Sequence, residues 1–396
     1  MERAELKLWV ESQKPAVESL LRDLVEINTY TANEAGVDQG MALLDQVASD
    51  AGFTVERIHD RHRLISLEKR GNAPRVLLIS HMDTVFPPDG EFLHYHTLGD
   101  GFVRGPGVGD IKGGLVMGLW AMAALREFAP DYDVQMVVSA DEETGSPTIR
   151  DWYLANPTRA DFGIGLEPGF PQGALTPTVP LGVVYQRRGY GAVNFTVNGK
   201  SAHSGTPHLG LSATEAMAHR IIRLHALNNV ERNISVNVGM VRGGISANTV
   251  AGTVEASVSF RFERLSDGEM TRDAVIEAVL DSCVYNPQLD LWDSATYTLD
   301  SFIPPMERTE RSQVMIDIVL KQAALLNHNV VPIARGGGSD ANYLSASGTP
   351  AICGMGAPTA DIHTPSETVY LPMLHERIEL LALTLEELSE RGLQPS

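Results

Sequence analysis

At 396 residues the chain exceeds the roughly 250–300 at which a single core stops growing, so two domains are expected. Its formal net charge of -19 argues against nucleic acid or an anionic membrane surface as a partner, and leaves acidic side chains to spare for cations. The cysteines are Cys283 and Cys353, too few for a disulfide framework or a thiolate zinc cluster.

The first six residues, Met1-Glu2-Arg3-Ala4-Glu5-Leu6, are charged and lack the apolar core of a signal peptide. No run reads as long enough to span a membrane, so a cytoplasmic protein is expected. Apolar residues at helical spacing predict a helix over 6–27, interrupted at Pro15, and a second over 41–51 that stops at Gly52. Residues 76–79 are apolar without alternation and read as a fully buried strand. A helix over 113–128 and a strand over 134–138 follow. Buried strands alternating with helices imply an α/β fold: a largely parallel sheet with helices on both faces.

Near Leu181 the pattern changes. Residues 192–197 alternate strictly, as in a strand with one wet face. A helix over 212–227, strands over 234–241 and 254–262, a helix over 267–281 and a short strand near Leu289 complete a split βαβ arrangement. Buried α/β character returns from Arg308, with a strand over 330–333. The expected organisation is a catalytic domain over 1–184 and 299–396, with an α+β domain over 185–298 inserted into it.

Polar clusters fall just after apolar strands, where open α/β sheets place their ligands. In His81-Met82-Asp83-Thr84, extended backbone puts His81 and Asp83 on one side, so the carboxylate can hold the imidazole in one tautomer. In Gly105-Pro106-Gly107-Val108-Gly109-Asp110-Ile111-Lys112-Gly113-Gly114, the glycines imply a backbone bent to bring Asp110 close to something. A phosphate loop is the rival reading, but the Walker spacing is absent. Asp141-Glu142-Glu143-Thr144-Gly145-Ser146 places three acids before a helix expected near Ser146, a costly arrangement unless a cation compensates it. Glu167 follows the apolar run 162–166, and His363 lies in Asp361-Ile362-His363-Thr364-Pro365-Ser366-Glu367.

Singly, these are a surface His-x-Asp or a solvated acidic turn. Together, His81, Asp110, Glu143, Glu167 and His363 supply two imidazoles and three carboxylates, a donor set suited to zinc. If Asp110 bridges, each of two metals has one imidazole, one terminal carboxylate and a share of Asp110. Two divalent ions then balance the three carboxylates and one bridging hydroxide. Glu142 is left over, beside a ligand, as the general base of a hydrolysis.

In order and content these motifs resemble the metallopeptidase family that includes glutamate carboxypeptidase, acetylornithine deacetylase, succinyl-diaminopimelate desuccinylase and aminoacylase. The likeness runs from about Leu20 to Leu385 and is greatest to the glutamate carboxypeptidase branch. It implies a two-zinc exopeptidase fold, two Zn2+ per subunit (Mn2+ or Co2+ as alternatives), and an inserted lid and dimerisation domain. His81, Asp110 and Glu167 would hold one metal, and Asp110, Glu143 and His363 the other. Asp83 would orient His81, and Glu142 would be the base. The resemblance further implies that His203, in Lys200-Ser201-Ala202-His203-Ser204-Gly205, steadies the tetrahedral intermediate across a homodimer. Arg261 and Asn248 would grip a substrate carboxylate, aided by backbone N–H groups at Gly338 and Ser339. The expected substrate is a small molecule or short peptide with a free carboxylate, cleaved at an amide bond by a carboxypeptidase or N-acyl-amino-acid deacylase.

One stretch departs from the glutamate-specific pattern. Leu299-Asp300-Ser301-Phe302-Ile303-Pro304-Pro305 lacks the basic residues found there in those relatives, which favours an apolar or neutral side chain. A dipeptidase or aminopeptidase of the same fold is the near alternative, although such relatives tend to carry Asp where Glu167 stands. A non-catalytic binding module is the distant alternative, opposed by the intact ligand set.

Overall fold

The computed structural model describes residues 1–67 and 73–391; the last five positions of the expected segment 299–396 lie outside the described residues. The chain divides into two compact units. The first comprises Met1–Arg187, Met306–Arg335 and the chain from Ser339; the second comprises Arg188–Pro305 with Gly336–Gly338.

The first unit is built on a six-stranded sheet in the order Thr54–Ile58, His62–Ser66, Asp133–Ser139, Arg75–His81, Phe162–Gly165, Ala351–Ile352. The last four strands pair in parallel and the first two add antiparallel, so the sheet is mixed at one edge. Arg75–His81 lies between two parallel neighbours and is buried from Val76 onward, as its unbroken apolar run requires. Helix Gly114–Phe128 packs on the face carrying Leu78 and Met136, which crowd Gly118. On the opposite face Leu344, of helix Asp340–Ala346, lies against Gly163. Both faces are therefore covered.

Three expectations need correction. The first helix runs unbroken through Pro15 from Arg3 to Glu26. The second starts earlier, at Glu34, where Asn33 caps it by accepting from the Gly36 N–H. Residues 108–128, kinked at Asp110–Ile111 before helix Gly114–Phe128, form a run apolar and long enough to cross a membrane by length and composition, contrary to expectation. That window is 94% buried within the protein, because the helix is enclosed on all sides.

The second unit holds a four-stranded antiparallel sheet ordered Ser235–Gly243, Thr253–Phe262, Gly189–Asn198, Ser294–Ile303. Thr253–Phe262 buries every second residue from Val254 to Phe262, as a half-covered strand must. Helices Ala213–His225 and Leu265–Leu280 cover one face around Phe195, Val258, Phe260 and Phe262. The fourth strand is Ser294–Ile303 and not a segment near Leu289. Leu289 instead lies in the turn between the short strands Tyr285–Asn286 and Leu291–Trp292. Residue 298 thus falls inside a strand, and the unit continues to Pro305. At its start, Leu181–Arg187 pairs with Val330–Arg335 in the first unit, so the second begins at Arg188.

Candidate metal centre

His81 is the last residue of its strand, paired in register with Ser139, beyond which the chain turns into the acidic segment. Its Nδ1 lies 3.0 Å from the backbone oxygen of Asp83 and 3.4 Å from that residue's carboxylate. A carbonyl can only accept, so Nδ1 carries a hydrogen and Nε2 is the nitrogen left to face a metal. That Nε2 is buried and has no hydrogen-bond partner.

The Asp83 carboxylate does more than orient an imidazole. It accepts the N–H groups of Glu142 and Glu143, each at 3.1 Å, and the Thr31 hydroxyl at 2.7 Å. Asp83 therefore ties the strand end carrying His81 to the short 3-10 turn Glu142–Thr144. The acids Glu142 and Glu143 thus lie within this turn, and no helix starts near Ser146; the next helix is Arg150–Ala155.

Asp110 sits where backbone crowding demands small residues. Gly107 has φ of 70°, and a Cβ on Gly109 would come within 2.1 Å of Thr359. The Asp110–Ile111 peptide bond is cis. Glu367, buried, accepts the N–H groups of Gly109 (2.9 Å) and Asp110 (3.1 Å) through Oε1. Sequence reasoning gives Glu367 no role; a carboxylate two residues after Pro365, in the segment of His363, was the available signal.

The two oxygens of Asp110 face different partners. Oδ1 is 3.4 Å from His81 Nε2, and Oδ2 is 3.2 Å from His363 Nε2. Glu167 lies 3.8 Å from His81 Nε2, and Glu143 lies 3.4 Å from His363 Nε2. Potential ligand atoms of His81, Asp110 and Glu167 all fall within 4.8 Å of one another, as do those of Asp110, Glu143 and His363. Glu142 lies 3.8 Å from His81 Nε2 and belongs to neither triplet.

The electrostatics are those of too many acids in too little water. Burial and the charge of Asp110 push Glu167 up to about 7. Burial raises Glu142 well above the usual carboxylate range, with Glu167 and Asp340 adding to the effect. Asp110 is held below its usual value: burial opposes this, but the hydrogen bond from His363 and the nearness of the His81 imidazole prevail. Hydrogen bonds to Asp110 and Glu143 raise His363 to about 10. A cation could replace the protons that otherwise relieve this crowding.

A further buried acid, Asp340, accepts from Ser139 (2.6 Å), Tyr153 (3.0 Å) and Ser146. It joins the end of strand Asp133–Ser139 to the segment after the acidic turn. Burial raises it to about 6. Ser339 directs its N–H to the Asn342 side chain (3.2 Å), capping helix Asp340–Ala346, so this expected substrate donor is already engaged.

In the second unit His203 pairs with Thr249 across a two-stranded ribbon, and the Ser204 N–H donates to the Asn248 oxygen (2.9 Å). Asn248 thus shares a ribbon with His203 and not the sheet of Arg261, because the chain leaves the sheet between Gly243 and Thr253. His203 Nδ1 accepts the Gly205 N–H at 3.0 Å. Arg261 lies over the Tyr190 ring, 5.0 Å from its centre, and donates to the Gly336 oxygen at 2.6 Å.

Residues 77–387 match the model of peptidase family M20/M25/M40, and the chain belongs to that family. It is 25% identical to carboxypeptidase G2 of Pseudomonas sp. (strain RS-16) over 386 residues, covering 95% of this chain and 90% of that one. Among solved structures it resembles aminopeptidase PepT from Bacillus cereus, with TM-score 0.75 and 21% identity, over 94% of this chain and 98% of that one. It also resembles the M20 family metallo-carboxypeptidase Sso-CP2 from Sulfolobus solfataricus, with TM-score 0.71 and 16% identity, over 93% and 98%.

Proposed function

From membership of that family, whose members are metal-dependent hydrolases of peptide amide bonds, we propose a two-metal carboxypeptidase or N-acyl-amino-acid deacylase. One observation carries the reading: Asp110 turns one oxygen toward each of two His-carboxylate clusters, with Glu142 beside them and shared by neither. The donor set fits divalent ions. His81 Nε2 and Glu143 Oε1 are buried without hydrogen-bond partners, and imidazole with carboxylate suits zinc, with manganese or cobalt as alternatives. His81, Asp110 and Glu167 would hold one ion, and Asp110, Glu143 and His363 the other. Bound there, a metal pair supplies Lewis-acid polarisation of a carbonyl and lowers the pKa of water.

The chain's own groups do the rest. Asp83 holds His81 through its backbone oxygen and fixes the turn carrying Glu142. Glu142, raised by burial, takes a proton from the attacking water and passes it to the leaving amine. His203, with Nδ1 engaged by the Gly205 N–H, has Nε2 as its donor, suited to a developing oxyanion. The reading gives it this role across a homodimer. The uncovered sheet face of the second unit, bearing exposed Met240 and Thr298, is the contact surface favoured for that dimer. Arg261, with Asn248 and Gly338 as further candidates, is assigned to the substrate's free carboxylate, for which an arginine fork is geometrically suited. A small substrate and a cytoplasmic location complete the proposal.

The test is Glu142→Gln assayed on N-acyl amino acids and dipeptides. The variant should keep both equivalents of zinc and lose about 10²–10⁴-fold or more in turnover. Turnover near wild type would rule Glu142 out as the base. Substrates blocked at the carboxylate should fail; preference for a free amine instead would favour an aminopeptidase or dipeptidase.

A further inference from the structure

Outside the metal centre the first unit holds a buried cation that forms no ion pair among the described residues. Arg377, on helix Leu371–Arg391, is 3% exposed. Its Nε donates to the Gly356 oxygen (2.7 Å) and its Nη2 to the Gly354 oxygen (2.8 Å). Nη1 is buried without a hydrogen-bond partner, and among the described residues no ion pair with Arg377 is found. Burial pulls the group down to about 10, so it remains charged at neutral pH. A desolvated guanidinium satisfied by two carbonyls alone is strongly unfavourable, and an anion is what it lacks.

Arg377 lines a cavity of about 690 Å³, within the range of about 300–1,000 Å³ that takes small organic molecules. Arg3, Lys7 and Lys14 also line it. Of the three acids there, Glu11 is paired with Lys14 at 2.6 Å, Glu376 lies 3.9 Å from His328 and is raised by burial, and burial pushes Glu379 up to about 7. His328 and His375, each pushed down to about 4 chiefly by burial, are neutral near pH 7 and offer uncharged ring nitrogens. Leu181, Met373 and Leu380 give the lining an apolar side. None of the lining residues belongs to the two metal-ligand triplets.

The loop that Arg377 grips leads to the metal centre. The Gly356 N–H donates to the backbone oxygen of Glu167 at 2.9 Å, and the Gly169 N–H to that of Ala357 at 2.8 Å. We propose that this cavity binds a small organic carboxylate whose anionic head compensates Arg377 and Lys7, and that its occupancy is felt at Glu167 through the 354–357 backbone.

Calorimetric titration of the zinc-loaded protein tests this, with hexanoate as the probe. Hexanol and hexylamine serve as neutral and cationic controls with the same apolar body, and inorganic phosphate as an anion without one. Hexanoate should bind and the three controls should not. Because hexanoate can also reach a metal pair, two variants decide the location. Lys7→Glu and Arg377→Lys should each weaken binding about ten- to a hundredfold, the contribution of a charge-assisted contact. Lys7 is exposed, so Lys7→Glu should leave turnover without hexanoate unchanged. In the wild type hexanoate should change kcat without changing KM, and Lys7→Glu should abolish that response. Equal affinity in Lys7→Glu and wild type, purely competitive inhibition, or no binding to the wild type would each overturn the proposal. So would hexanol or phosphate binding as tightly as hexanoate. Should Arg377→Lys fail to fold, Lys7→Glu alone decides.

Discussion

The metal centre of the first unit and the Arg220–Asp293 pair of the second both bury charge, and they treat it in opposite ways. Arg220 and Asp293 are fully buried and meet at 2.6 Å. Arg220 also donates to the oxygens of Val279 (2.7 Å) and Ala216 (3.2 Å), while Asp293 accepts the N–H groups of Cys283 and Val284. The pair neutralises itself and joins helix Ala213–His225 to the base of the Tyr285–Trp292 hairpin. In the first unit Asp110, Glu142, Glu143 and Glu167 crowd around two imidazoles, several carboxylates are pushed up by burial, and buried ligand atoms stay unpartnered. Self-compensated charge marks architecture; uncompensated charge marks a place where something else must bind.

Four measurements can break or sharpen that contrast. The largest effect is expected at Asp110. Asp110→Asn should lose both metals together, with activity, because its two oxygens serve separate clusters. Metal analysis showing one equivalent retained would mean that Asp110 does not bridge.

Next comes Asp293→Ala, which strands a buried guanidinium and should destabilise the protein by about 3–5 kcal/mol. Denaturant unfolding reads that loss, and zinc content of the folded fraction should be normal. If stability is unchanged, the pair is not structural and the contrast fails.

Glu367→Gln should weaken metal binding about 10–100-fold, the usual effect of losing a group that positions a ligand. The reason is that Glu367 holds the Gly109 and Asp110 N–H groups. Competition against a chelator measures it, and wild-type affinity would reduce Glu367 to a packing role.

The smallest effect concerns pH in the chelated protein. Glu367 (about 8), Glu167 (about 7) and Asp340 (about 6) are raised chiefly by burial above their ordinary values. An acid raised on folding binds more protons folded than unfolded, so stability falls as pH climbs from about 4 to 8. His363, raised to about 10 by its carboxylate partners, acts in the same direction above its ordinary value. The melting temperature of chelated protein should therefore be higher at pH 5 than at pH 8, and added zinc should stabilise more at pH 8. A chelated protein that melts higher at pH 8 would show that the acids are not crowded.

The candidate metal ligands were legible because each follows an apolar run, and a run such as 76–79 announces its own strand. Glu142 was legible as the acid left over. Glu367 and Asp340 were not, since each acts on groups far away in sequence: Asp340 holds Ser139 and Ser146, and Glu367 holds the Gly109 and Asp110 backbone. The ribbon of Asn248 was not legible, because sequence proximity to Arg261 says nothing about which strand pairs with which. Pro15 was read as an interruption by local propensity, but the helix buries Val10, Val17, Leu20 and Leu24 on either side of it, and that packing prevails.

The amino-acid sequence by itself determined the α/β class, the interruption of one unit by another, and the chemical types gathered for a cation. These follow from hydrophobic period and residue chemistry, which are local. Tertiary structure alone decided that one oxygen of Asp110 faces each imidazole, that Asp83 spans a strand end and a turn, and that Arg377 is buried with no ion-pair partner among the described residues. Each of those depends on a distance between residues remote along the chain, and such distances exist only once the sheet has set its strand order.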